Sequence, residues 1–203
     1  WFLPYQHVRF SSETCAGLLF LLGLAQLLRS TERDRSWLMA GLCFCLCVQI
    51  KPAMLVACCG AMGWFLLNLL AKGRAFALLL GGGVAALALG VAVDNWFYGE
   101  PTHTLWNYLY KNSLSISKVQ PLPVLDETYP LWYYIPWIVK YGIWPIGAML
   151  VAALLWLTWR APRSWLVWCI WPYLVLVSLI PHKELRFLFP LVDLAPLLLI
   201  SAW

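Results

Sequence analysis

The sequence predicts an all-α protein, a polytopic membrane helix bundle of about seven membrane segments with one long aromatic-rich connection. Three observations predict it. First, 63% of the 203 residues are hydrophobic and only 11% are charged, against about 45–50% and about 25% in an ordinary soluble domain. A mean hydropathy of +0.75 says the same. A chain of this size cannot hide so much apolar surface in one aqueous core, so lipid must solvate most of it. Second, the apolar residues fall in runs bounded by charge. Third, the basic residues concentrate in a few short loops between those runs.

The runs are roughly 13–28, 37–50, 52–70, 75–93, 141–159, 164–181 and 187–203. A helix needs about 20 residues to cross a bilayer, so several of these are short for a span. Arg29, Arg33 and Arg35 sit in the first loop, Lys72 and Arg74 in the second, Arg160 and Arg163 in the third. These loops share one side only if 37–70 is a helical hairpin turning near Lys51-Pro52, where proline removes a helix donor. By the bias of lysine and arginine toward the cytosol, that side is cytosolic and the opposite side is lumen or periplasm. No linker or repeat divides the chain, which reads as one membrane domain, 1–203.

The opposite side receives the long loop, about 94–140, in which eleven of 47 residues are aromatic. Trp and Tyr suit the headgroup level, so the loop is either an aromatic belt or part of a substrate groove. Lys51, Asp94, Tyr98, Trp106, Asn107 and Lys111 are the candidates if this side contacts substrate. Asp94 either caps a helix end or makes a polar contact at the same surface. The seven cysteines lie in apolar segments, as buried structural thiols do. Their surroundings hold no His or carboxylate, so no metal is expected. No basic run points to a nucleic acid, no glycine loop cradles phosphate, and Gly81-Gly82-Gly83 lies inside a span, where small residues permit close helix packing.

The densest charge is His182-Lys183-Glu184-Leu185-Arg186, set between two apolar runs. It reads either as a solvated turn or as a site for an anion such as phosphate, because potential cations surround one carboxylate and Arg offers a bidentate fork. The proposed topology brings this stretch to the same side as Lys51, Asp94 and the aromatic loop. Ionisable residues at membrane depth are costly and mark functional paths or paired networks.

Pro181-His182-Lys183-Glu184-Leu185-Arg186-Phe187-Leu188-Phe189-Pro190 resembles the signature of glycosyltransferase family 22, mannosyltransferases that use dolichyl-phosphate-mannose. Asp94-Asn95-Trp96-Phe97-Tyr98-Gly99-Glu100 with Leu105-Trp106-Asn107-Tyr108 resembles the family's luminal-loop motif. Arg9 to Glu13, and Lys51-Pro52 where the family often has Arg-Pro, are a weaker third match. Leu185 departs from the Glu that many members carry there.

The resemblance implies a C-type glycosyltransferase fold with short or broken spans, in the endoplasmic reticulum membrane or a bacterial inner membrane. It implies transfer of mannose, with inversion, from a polyprenyl (dolichyl) phosphate donor to a glycan or glycolipid acceptor. Membrane lipid is the remaining partner, and no cofactor is expected beyond the lipid-linked donor. His182, Lys183 and Arg186 become candidates for binding the donor phosphate, with Glu184 orienting them. The family's catalytic acidic residues belong to a first luminal loop that this sequence does not contain. The expectation is therefore an N-terminally truncated chain, inactive by itself, whose catalytic residue is unknown. The rival readings are a transporter or flippase of a lipid-linked or anionic substrate, and a catalytically incomplete fragment. A flippase would place its charges nearer the bilayer midplane.

Overall fold

Helix α1, Ser12–Leu28, opens on Ser11, whose hydroxyl accepts from the backbone N–H of Thr14 at 3.2 Å, and it carries Glu13 in its first turn, where the helix dipole favours an anion. The computed structural model describes residues 11–29, 34–68, 73–110, 130–142, 144–180 and 183–202. Among these residues the secondary structure is entirely helical.

Helix α2, Asp34–Ile50, ends at Lys51 because the next residue is proline. Lys51 is extended (φ −137°, ψ 91°), the conformation that a following proline ring imposes. A short 3₁₀ turn, Pro52–Met54, leads into α3, Leu55–Asn68. The chain then runs back along α2: Phe65 meets Trp37 with ring centroids 6.3 Å apart, and the Cys58 thiol faces the Phe44 carbonyl. The hairpin expected at Lys51-Pro52 is present.

Helix α4, Gly73–Tyr98, lies parallel to α2. Arg74 pairs with Asp34 at 2.5 Å at one end, and Gln49 Nε2 donates to the Ala86 carbonyl at 2.9 Å toward the other. Two glycines allow the crossing. A Cβ on Gly41 would stand 1.9 Å from the Leu79 carbonyl oxygen, and one on Gly82 2.0 Å from that of Leu38. Gly41→Ala is therefore expected to cost about 1–3 kcal/mol by forcing the helices apart. The check is the melting temperature in detergent; a variant as stable as the parent would rule out this backbone contact.

Beyond α4 the chain turns at Gly99, whose φ of +69° favours glycine, into the short α5, Thr104–Leu109. Asp94 Oδ2 accepts from the Thr104 N–H at 2.9 Å and Asn95 Oδ1 from that of Thr102 at 3.0 Å, tying the turn to the end of α4. A 3₁₀ turn (Leu131–Tyr133) and α6, Tyr134–Tyr141, precede α7, Ile146–Arg160, and α8, Trp165–Leu179. Helix α8 packs antiparallel to α7, with Trp171 Nε1 on Thr158 Oγ1 at 2.8 Å. It is antiparallel to α3 as well: Trp64 Nε1 donates to the Arg163 carbonyl. The chain closes with a 3₁₀ turn (Leu185–Leu188), the single turn α9 (Phe189–Val192) against α1, and α10 (Ala195–Ala202) against α7.

These contacts give the bundle two chemically distinct ends. Arg35, Arg74 and Arg163 lie at one, with Arg29 and Arg160 closing α1 and α7 there. Glu13, Lys51, Asp94 and the Lys183–Arg186 turn lie at the other.

The expectation of about seven spans is met in part. Helices occupy the expected apolar ranges, yet among the described residues only α4, with 26 residues, is long and apolar enough to cross a bilayer; the Leu185–Val192 and Ala195–Ala202 pair qualifies only as one span bent by 61°. Helices α1, α7 and α8 have 17, 15 and 15 residues, about 23–26 Å at 1.5 Å per residue, against a hydrocarbon core of about 30 Å. Charges and helix-breaking residues at both ends of each run shorten them.

Candidate functional site

The charged end is built from three distant stretches of chain. Lys183 follows directly on the end of α8. The residue is 4% exposed, and its ammonium donates to the carbonyls of Ser178 at 2.7 Å and Ile180 at 3.0 Å. The last carbonyls of a helix have no intrahelical partner, and a cation is favoured there. Two of the three Lys183 N–H groups are thus committed to the backbone, which makes it a clamp between α8 and the turn after it. The sequence reading treated it as a cation open to substrate; its inward direction is a property of the fold.

The clamp fixes the turn that carries Glu184 and Arg186. The Phe187 N–H donates to the Glu184 carbonyl at 3.1 Å, and Tyr173, wholly buried in α8, donates its hydroxyl to the Phe187 carbonyl at 2.7 Å. Tyr134 of α6 makes a longer contact, 3.4 Å, to the Glu184 carbonyl. Burial pushes the Tyr134 phenol up to about 12, so it is protonated at neutral pH and can only donate to that carbonyl. With its backbone held, the turn presents outward an Arg186 that is 60% exposed and paired to Glu184, Nη2 to Oε1 at 3.0 Å. An exposed ion pair is weak, about 0–1 kcal/mol, so the guanidinium is oriented without being consumed.

Lys51, at the break between α2 and the 3₁₀ turn, meets the same structure from the other side. Its Nζ lies 2.7 Å from Glu13 Oε1 and 5.7 Å from the centroid of the Phe187 ring, within cation–π range. Ser12 Oγ donates to the second Glu13 oxygen at 3.0 Å. Residues 13, 51 and 187 are thereby joined. Nearby, Asp193 at the α9–α10 turn is buried against α1: a Cβ on Gly17 would lie 2.4 Å from its Oδ2.

Of the residues picked from the sequence, the fold gathers Lys51, Lys183, Glu184 and Arg186 around Phe187. Asp94 caps the start of α5. Tyr98, packed on Phe97 at 5.0 Å, and Trp106 are exposed on the α4–α5 corner, and Asn107 belongs to α5, its N–H on the His103 carbonyl. His182 and Lys111 lie outside the described residues. Sequence reasoning missed Asp193, although it is the one charged residue in the final run 187–203. It also gave Tyr134 and Tyr173 no role, since aromatic residues are common along this chain.

Beside the turn opens a long apolar groove of about 680 Å³. Tyr134, Trp137 and Tyr141 form its α6 wall, Leu150 and Leu154 its α7 wall, and Leu174 and Ser178 its α8 wall, with Leu198 of α10 lining it as well. Leu185 and Leu188 belong to both the groove and the charged turn. The combination suits an amphiphile with an anionic head and an apolar chain.

The fold defines the class as an all-helical, strongly apolar bundle with a charged turn at one end. A sequence profile of the Alg9-like mannosyltransferase family matches residues 1–203, and the chain belongs to that family. Membership supports a glycosyltransferase, specifically a mannosyltransferase, and is what the signature around Lys183–Arg186 predicted. No curated protein and no solved structure matches the chain.

Proposed function

We propose that this protein works as a multi-pass membrane enzyme, in the endoplasmic reticulum or a bacterial inner membrane. It transfers mannose from a polyprenyl (dolichyl) phosphate to a glycan or glycolipid acceptor, inverting the sugar's anomeric carbon. The observation that carries this reading is the apolar groove running up to the Glu184–Arg186 turn: one wall for a prenyl chain, one cationic turn for its phosphate. Leu80, Val84 and Leu89 of α4 are half or more exposed, a cost in water that hydrocarbon removes. The arginine-rich end then faces the cytosol and the charged turn faces the lumen or periplasm.

In this reading the acceptor hydroxyl loses its proton to a carboxylate base and its oxygen attacks C1 of the donor sugar. The bond from C1 to the phosphate oxygen breaks, and negative charge grows on the departing polyprenyl phosphate. Arg186 and its near neighbour in sequence, His182, stabilise that charge; Glu184 orients Arg186 and Lys183 holds the turn in place. Donors already oriented toward the departing phosphate stabilise its growing charge without reorganising during the reaction.

The test is transfer of labelled mannose from a polyprenyl phosphate donor in membranes from cells producing the full open reading frame. Labelled glycan or glycolipid is the expected product. Transfer from a nucleotide sugar but not from the lipid donor would overturn the reading, and so would movement of the lipid across the bilayer without transfer.

A further inference from the structure

Most of the charge at this end is explained by the turn itself; the Glu13–Lys51 pair is not. It joins the first turn of α1 to the break after α2, residues 38 apart, and its side chains remain only 11% and 19% exposed. Burying a lysine this far needs a compensating carboxylate, and Glu13 supplies it. The pair does more than close the bundle, however, because it sets the ammonium against the ring of Phe187, within the Glu184–Phe187 turn. An ammonium has three N–H donors. Glu13 accepts one at 2.7 Å and the Phe187 ring centroid lies 5.7 Å away, so the ammonium has donor capacity beyond its one carboxylate partner. Lys183, by contrast, has turned its donors onto the end of α8.

We infer that Lys51 is a direct contact to the anionic headgroup of the lipid substrate and that Glu13 is its positioning residue. The inference deepens the reading above and rests on it. Glu13 aims the ammonium; without it, the lysine side chain loses the partner that holds it beside the Phe187 ring. The ligand is recognised by its phosphate, so the sugar-free polyprenyl phosphate should bind as well as the mannosylated donor.

The experiment is a charge exchange, Glu13→Lys with Lys51→Glu, in the full-length protein. A purely structural pair survives exchange, since the ion pair re-forms in the opposite sense. A headgroup contact does not, since a carboxylate then faces the phosphate. Binding is read as thermal stabilisation by a long-chain polyprenyl phosphate in detergent. The exchanged protein is expected to melt near the parent yet bind the lipid about tenfold more weakly or worse, the scale of one charge-assisted hydrogen bond. Lys51→Arg is expected to keep most of the affinity. Undiminished binding by the exchanged protein overturns the inference and leaves the mannosyltransferase reading intact. If the exchanged protein does not fold, Lys51→Gln against Lys51→Arg decides: loss in the first alone supports the inference, and equal affinity overturns it. A parent protein indifferent to polyprenyl phosphate overturns the reading beneath the inference, and the inference with it.

Discussion

Lys183→Met is expected to abolish mannose transfer, by about 10²-fold or more, and to lower stability by about 2–4 kcal/mol at the same time. Lys183 is 4% exposed and its ammonium donates to two carbonyls at the end of α8. Methionine fills similar volume without donating. It therefore leaves two buried acceptors unsatisfied and removes a cation from a helix C-terminus, losses that together reach this range. The turn that carries Arg186 hangs on this clamp, so activity falls with it, on the scale seen when one preorganised donor is lost. Stability and transfer must drop together; thermal melting beside the transfer assay checks it. A Lys183→Met protein with parental stability and reduced transfer would show instead that the ammonium meets the substrate.

Arg186→Ala is expected to separate the two quantities. Its side chain is 60% exposed and its pairing with Glu184 is a surface interaction, so stability should change by less than about 1 kcal/mol. Transfer should fall about 10²-fold, because a forked cation is removed from beside the leaving phosphate. Arg186→Lys keeps the charge and loses the fork, and should fall between. If Arg186→Ala transfers mannose at the parental rate, the assignment of the turn to the donor phosphate is wrong. Set beside Lys183→Met, this variant distinguishes a residue that touches substrate from one that holds the site together. Chemical similarity of the two cations cannot do so.

The contrast between these two residues marks where local sequence stops being informative. Both stand in one charged stretch and look alike there. Which one turns inward depends on whether a helix end lies within reach, and α8 ends at Leu179, four residues before Lys183. The hairpin at Lys51 was legible because proline acts on its immediate neighbour through sterics alone. The common end shared by Lys51, Asp94 and the Lys183–Arg186 turn was legible because the spacing of apolar runs and the placement of arginines constrain sidedness without any knowledge of packing. Asp94 stood open between a cap on a membrane helix end and a substrate contact; in the fold its carboxylate accepts from the Thr104 N–H at the start of α5.

The sequence by itself determined that the chain is helical and apolar, where it breaks, which charges share an end, and which family it belongs to. Each follows from local composition, from short-range sterics or from a contiguous signature. Only the tertiary structure decided that Glu13 meets Lys51, that Phe187 lies beneath that ammonium, and that Asp193 is sealed against Gly17. The same is true of the groove that Leu185 and Leu188 line, which α6, α7, α8 and α10 form together. Those contacts join residues far apart in the chain, Gly17 and Asp193 being 176 positions apart. Whether a side chain is buried or open depends on the neighbours that packing brings to it, which no stretch of sequence around it contains.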